Sequence, residues 1–511
     1  MNTDNRKQSM ESNVKPWPAL WSLVLGFFMI LIDTTIVSVA NPAILTDLGT
    51  DINAVIWVTS AYLLAYAVPL LITGRLGDRF GPKNIYLAGL ALFTAASVWC
   101  GLSGSIEMLI VARVVQGLGA SLMTPQTMAV ITRIFPPNQR GAAMGLWGAT
   151  AGVATLVGPI LGGVLVDGFG WEWIFFINLP VGIVAFVLAM RNVPQLATSS
   201  HKFDILGVVL SAVGMFLLVF GIQEGETYDW GTIAGPISVW SLIIAGIVVL
   251  ALFVVWQRVG KGEPLLPLGL FRDRNFSLAN TAITTVGFAI TSMSLPLVFY
   301  FQTVRGLTPT QSALMLVPMA VLTLALSPAI GKAINRVNPR NLAVAGLVLL
   351  AAALGWYSLL LTPDQPLGML LLPSAVLGLA NAGIWAPISN TATRNLPPRQ
   401  AGAGSGVFNT TRQIGAVLGS AGIAALIEAR LTAELPAGGG ASGASAGLGG
   451  GQLPAALQDG FSTAMGQALL LPAAVALVGA IVVAFFAKPN INGAWSTETS
   501  RATEDATATA P

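Results

Sequence analysis

Fourteen apolar runs of about 20 residues recur along this chain, and they constrain its fold more than any other feature. Coiled as helices, such runs are about 30 Å long, the thickness of a bilayer's hydrocarbon core. Lipid offers no partners to backbone N–H and C=O groups, so open-edged strands are excluded and helices are required. The runs lie at about 19–40, 54–74, 84–104, 106–131, 141–165, 173–190, 205–222, 237–256, 275–300, 311–331, 341–361, 367–390, 403–427 and 461–487. Hydrophobic residues are 54% of the 511 and charged residues 9%, against about 25% charged in ordinary soluble chains. The expectation is an all-α polytopic membrane protein. The first eighteen residues are polar and lead into a full-length run without a small-residue cleavage site, which predicts a retained anchor. Cys100 is the only cysteine, so it has no disulfide partner in the chain and reads as a packing residue.

An even number of spans puts both termini on one side. Of the 25 Lys and Arg, 21 lie in the tails or in loops on that side. The opposite loops hold Arg305 and Arg430, and Arg113 and Arg412 lie inside spans. By the positive-inside rule both termini are expected in the cytoplasm, with the chain multi-pass in the plasma (inner) membrane. The basic residues form no patch, which argues against a nucleic-acid partner. The Gly-rich stretch at 436–451 reads as a flexible external linker, and the Ser/Thr/Ala-rich tail at 489–511 as disordered.

The chain also repeats itself at a spacing near 260. Gly74-Arg-Leu-Gly-Asp-Arg-Phe-Gly-Pro-Lys-Asn84 returns as Gly331-Lys-Ala-Ile-Asn-Arg-Val-Asn-Pro-Arg-Asn341, and Thr132–Gly145 returns as Thr393–Gly406. This divides the chain into a tail (1–18), a six-helix bundle (19–192), a two-helix insertion (193–262), a second six-helix bundle (263–488) and the C-terminal tail. Parallel six-helix repeats are a plan of alternating-access transporters, with substrate bound between the halves. The repeat fails at its charges: Asp33 maps near Ile290, Arg113 near Ser374, Asp78 onto Asn335, and Arg412 onto Ala151. The first half therefore reads as the ion-handling half.

Asp33 is the only charge between Ala19 and Ala40. A mid-span aspartate costs about 2.5–3.5 kcal/mol on insertion scales, so it needs a reason to be there. Read from the run boundaries, Asp33 and Arg113 lie at matching depths near the outer side, Asp33 about 10 Å in at 1.5 Å per residue. One reading is a fixed ion pair that neutralises two charges. The favoured reading is a proton site: beside Arg113 the carboxylate stays charged, and in a dry pocket away from it a proton neutralises it. Thr34, Ser38 and Asn41 add a polar stripe that serves either interhelical hydrogen bonding or cavity lining. Gly141, Gly145, Gly148, Gly152, Thr155, Pro159 and Gly162 recur in steps of four and three, placing a close-packing seam on one helix face.

These motifs carry a resemblance to a known family. The loop from Gly74 to Lys83 resembles the cytoplasmic signature of the major facilitator superfamily, and Arg113 with Gln116-Gly117 is similar to its fourth-helix signature. Gly152 through Gly163 resembles the family's antiporter signature. Leu31–Pro42, Trp171–Pro180 and Asn409–Gly415 resemble motifs of its fourteen-helix drug:proton antiporters, multidrug efflux proteins; Asn41 departs from them by standing where that group has an apolar residue. The resemblance spans residues 19–487. It implies the major facilitator fold, with two six-helix bundles plus two inserted helices. It further implies Asp33 as the proton site with Arg113, a cytoplasmic gate of Gly74, Asp78, Arg79, Gly81 and Lys83, and an antiporter motif of Gly148, Gly152, Gly158, Pro159, Gly162 and Gly163.

The expected function is proton-coupled export of small hydrophobic or cationic compounds, by a monomer in the bilayer. Export of an endogenous lipid or metabolite by the same machinery is the alternative. Thr34, Ser38, Asn41, Tyr62, Trp147, Phe288, Trp385 and Arg412 are candidate cavity residues. For Arg412 two readings stay open, binding an anionic part of a substrate or capping nearby carbonyls. An enzyme is disfavoured: there is one histidine, His201, no metal-ligand pair and no phosphate loop, so no metal and no cofactor beyond the proton gradient is expected. A receptor that binds without transporting is a remote alternative.

Overall fold

The computed structural model describes residues 15–50, 52–198, 204–225, 228–260, 264–334, 336–396, 400–435 and 453–487. The Gly-rich linker, the C-terminal tail, His201, Asn335 and most of the N-terminal tail lie outside them.

The first half comprises α1 (Pro16–Asp47), α2 (Ile52–Ala67), α3 (Leu70–Phe80), α4 (Pro82–Gly101), α5 (Ile106–Ile134), α6 (Pro137–Phe169), α7 (Trp173–Phe176) and α8 (Asn178–Asn192). The insertion is α9 (Ile205–Gln223) and α10 (Val239–Val259). The second half comprises α11 (Arg274–Phe299), α12 (Pro309–Leu314), α13 (Val317–Ala333), α14 (Pro339–Leu360), α15 (Leu367–Thr393), α16 (Ala401–Glu434), α17 (Ala455–Ala468) and α18 (Leu470–Ala484). Twelve helices are long and apolar enough to cross a membrane, and thirteen if the bent pair α2–α3 is one span. The remaining expected span is α6, whose apolar stretch is the shorter Val157–Val166.

Local chemistry explains the breaks. Pro69 lacks an N–H and its ring crowds the preceding turn, and α2 and α3 meet there at 46°. Gly81 closes α3 at φ +89°, a conformation that favours glycine, and Pro82 then starts α4 at a position where its missing N–H costs nothing. One feature departs from an all-α chain: Thr232–Ala234 and Ile237–Ser238 pair as a short antiparallel hairpin between α9 and α10.

The inserted helices pack against both halves. Met215 and Val219 of α9 cluster with Leu64 of α2 and with Ile414 and Val417 of α16. The halves themselves meet on the face that carries the chain ends, here the terminal face. There the backbones of Gly74 and Gly402 approach so closely that a Cβ on Gly74 would lie 2.5 Å from the Gly402 carbonyl oxygen. A Cβ on Gly331 would lie 2.5 Å from the Gly141 carbonyl oxygen. Gly74 and Gly331 are repeat equivalents, as are Gly141 and Gly402, so this is one contact made twice. The repeat seen in sequence is thus a pseudo-twofold in space.

Candidate functional site

Asp33 and Arg113 meet in a fully buried cluster between α1 and α5. Arg113 Nη1 donates to Asp33 Oδ2 at 2.5 Å, and both side chains are sealed from the surface. Gln116, one turn beyond Arg113, donates to Asp33 Oδ1 at 2.8 Å and accepts from Arg113 Nη1 at 2.7 Å. Arg113 Nε donates to the Val58 carbonyl at 3.0 Å, and the guanidinium lies 4.1 Å from the Tyr62 ring centre. Asn178, the first residue of α8, donates to Ser97 Oγ at 2.9 Å and to Asp33 Oδ1 at 3.4 Å. Cys100 adds a weak bond to Gln116 Oε1 at 3.6 Å. All these groups belong to the first half. Each charge of the pair thus has partners that offset desolvation, the condition under which a buried ion pair can persist.

Arg113 lies seven residues from the start of α5, so its pairing with Asp33 agrees with the matching depths read from the sequence. Helix α1 itself runs on past the expected span to Asp47, fourteen residues beyond Asp33. The carboxylate is therefore mid-helix, because the helix does not stop at Pro42. Of the polar stripe beside it, Thr34 bonds back to the Ile30 carbonyl, and buried Asn41 Oδ1 has no partner among the described residues. Ser38 lies within α1 but its side chain is outside the described residues.

The gate residues separate into two groups. Asp78 is buried and spans the halves: its Oδ1 and Oδ2 accept the N–H groups of Gly402 and Ala403 at 3.0 and 2.9 Å. A carboxylate thereby caps the start of α16, where orphan N–H groups and the helix dipole favour negative charge. Arg133, not singled out from sequence, donates to Asp78 Oδ1 at 2.6 Å. Lys83 instead donates to the Met190 carbonyl at 2.7 Å, and Arg79 lies 5.2 Å from the Phe80 ring centre, both within the first half.

The glycines of α6 do not serve one neighbour. Near the terminal face, Cβ atoms on Gly145 and Gly148 would collide with the Ser327 carbonyl of α13 and with Trp385 of α15. Further along, Gly158 and Gly162 admit Thr35 and Ile36 of α1. Steps averaging 3.5 against a 3.6-residue turn drift about 20° per seven residues, so the seam winds from one partner to the next. Gly163 lies near Thr310, Pro159 sits inside the helix, and the surroundings of Gly152 are outside the described residues.

Among the aromatics, Trp147 stacks on Phe27 at 5.0 Å and meets Trp385 edge-on at 6.4 Å, joining the halves. Phe288 is not brought to them: its ring lies beside Gly422 and Leu471 within the second half. Arg412 is half-buried on α16, and its Nη2 donates to Tyr66 Oη of the first half at 3.4 Å.

Comparison with known proteins decides the family. A model described as Major Facilitator Superfamily matches residues 23–420. The chain belongs to this superfamily. It is 52% identical over 473 residues, 92% of this chain and 81% of the relative, to an uncharacterized MFS-type transporter of Mycobacterium tuberculosis. It is 34% identical over 501 residues, 93% of this chain and 92% of the relative, to the tetracenomycin C resistance and export protein of Streptomyces glaucescens. Its fold matches that of a superfamily proton:xylose symporter with a TM-score of 0.60 at 12% identity, over 91% of this chain and 94% of the other. This major facilitator is a membrane transporter rather than an enzyme.

Proposed function

We propose that this transporter is a proton-coupled antiporter that exports small hydrophobic or cationic compounds by alternating access. The observation that carries this reading is the Asp33 cluster. Here a mid-helix carboxylate is held by Arg113 and Gln116 of α5 and Asn178 of α8, two other elements of the same half, and its second-half repeat equivalent falls near the neutral Ile290. A proton arriving from outside neutralises Asp33 and loosens its hold on Arg113 and Gln116, and the half reorients. Release inside restores the pair. The Asp78 cap on α16 holds the cytoplasmic side shut while the outer side exchanges substrate. No cofactor beyond the proton gradient takes part, the monomer is the working unit, and both termini are cytoplasmic. Similarity to a named antibiotic exporter supports the direction of transport.

The test is efflux of a fluorescent lipophilic cation from proteoliposomes under an imposed pH gradient. The wild type is expected to respond to the gradient. Asp33→Asn is expected to keep dye exchange down the dye's own gradient and to lose the pH-driven component. Equal pumping by both proteins would show Asp33 to be structural.

A further inference from the structure

We propose that Arg412 is an anion-recognition point, so that the substrates of this exporter include hydrophobic molecules bearing a carboxylate. This substrate class rests on the export reading above. Helix α16 is covered on three sides. Gly415 and Gly419 lie against the Thr284 and Phe288 carbonyls of α11, Gly402 lies against α3, and Ile414 and Val417 lie against α9. The remaining side borders the interface between the halves and carries Ser405, Asn409 and Arg412, in steps of four and three. Each has a buried polar atom without a hydrogen-bond partner among the described residues: Ser405 Oγ, Asn409 Oδ1 and Arg412 Nε. Ser405 and Asn409 are fully buried.

A guanidinium is charged at any working pH and offers five donors in a planar fork. Arg412 lies eleven residues into α16, about 16 Å from its start. Among the described residues no carboxylate faces it, since the two ion pairs employ Arg113 and Arg133. Its hydrogen bond among those residues is the long one to Tyr66, so it caps no carbonyl there. A charge inside an apolar span costs free energy unless something answers it. A carboxylate answers both the charge and the fork geometry. Its aromatic or aliphatic body would then occupy the space between the halves.

The experiment measures binding of 1-pyrenebutyrate and of its methyl ester to the purified full-length protein by fluorescence titration. The acid is expected to bind the wild type about tenfold or more tighter than the ester, the yield of one charge-assisted pair. In Arg412→Gln the two should bind alike, with ester affinity unchanged. Equal binding of acid and ester by the wild type, or a preference retained in Arg412→Gln, overturns the proposal. If Arg412→Gln binds neither probe, Asn409→Asp decides, because it sets a carboxylate one turn from Arg412 and answers its charge internally. Loss of the acid preference there supports the site, and its persistence refutes it. Gradient-driven efflux of the ester tests export separately: no efflux beside an intact acid preference overturns export and leaves the site.

Discussion

Replacing Asp78 by alanine should open the terminal face of the molecule. Two hydrogen bonds to Asp78 cross between the halves, donated by Gly402 N–H at 3.0 Å and by Ala403 N–H at 2.9 Å. Bonds to a charged acceptor contribute about 1.5–3 kcal/mol each, so the pair stabilises the closed face by about 3 kcal/mol at the low end. The third partner, Arg133, is in the same half as Asp78, moves with it, and adds nothing to closure directly. At 1.4 kcal/mol per factor of ten, losing the pair shifts the closed-to-open ratio by about two orders of magnitude. Spin labels at Asn84 and Arg340, both exposed at helix starts on this face, report the separation by pulsed electron resonance. Asp78→Ala should populate a longer distance strongly, Asp78→Asn less so, and Arg133→Ala should leave the distribution near that of the wild type. An unchanged distribution in Asp78→Ala would refute the latch, and an equal opening in Arg133→Ala would refute the assignment of closure to the two N–H bonds.

Three further outcomes are expected. Gly145→Val sets a side chain where a Cβ already meets the Ser327 carbonyl at 2.6 Å, and overpacking of this kind costs about 1–3 kcal/mol; the same labels should read a longer distance and pH-driven efflux should fall. Asn178→Ala removes the bridge between Ser97 and Asp33, and the pH of half-maximal efflux should shift while Ser97→Ala shifts it less. Burial alone would raise the Asp204 pKa at the start of α9, but bonds from Trp256, Gly207 and Gln257 outweigh it and hold the carboxyl below its ordinary range. With the folded value depressed, its contribution is complete above the unfolded value of about 3.9 and is lost as pH falls through the folded one. Protection of α9 amides against hydrogen exchange, corrected for the intrinsic pH dependence of exchange, should therefore be flat from neutral pH down to about 5, and lower at all those values in Asp204→Ala.

The helical, apolar character of the spans, the repeat, and the encounter of Asp33 with Arg113 were all legible in the amino-acid sequence; of the fourteen spans expected, twelve helices, or thirteen with the bent pair, are long and apolar enough to cross a membrane. Lipid leaves an apolar run of this length one regular conformation, and a charge in it must find a partner. Asp78 was also legible, as the acid of a loop motif that recurs without it at Asn335. Its partners were not. Arg79 and Lys83 share its loop, yet Arg133, 55 residues away, makes the ion pair, because the end of α5 packs beside the end of α3. Gln116 and Asn178 stood inside motifs, but nothing in the sequence tied either to Asp33 until α5 and α8 were set around α1. The Gly141–Gly162 spacing marked a close-packing seam, but not that its two ends face different helices. Phe288 shared the aromatic character of Trp385, yet its rotation about α11 turns it into the second half. Periodicity assigns a residue to a face of its own helix; which neighbour covers that face depends on the packing of all the others. For that reason the sequence by itself determined which runs are helical and which charges need answers, whereas only the tertiary structure decided what answers them, and left Arg412 on the interface without a carboxylate among the described residues.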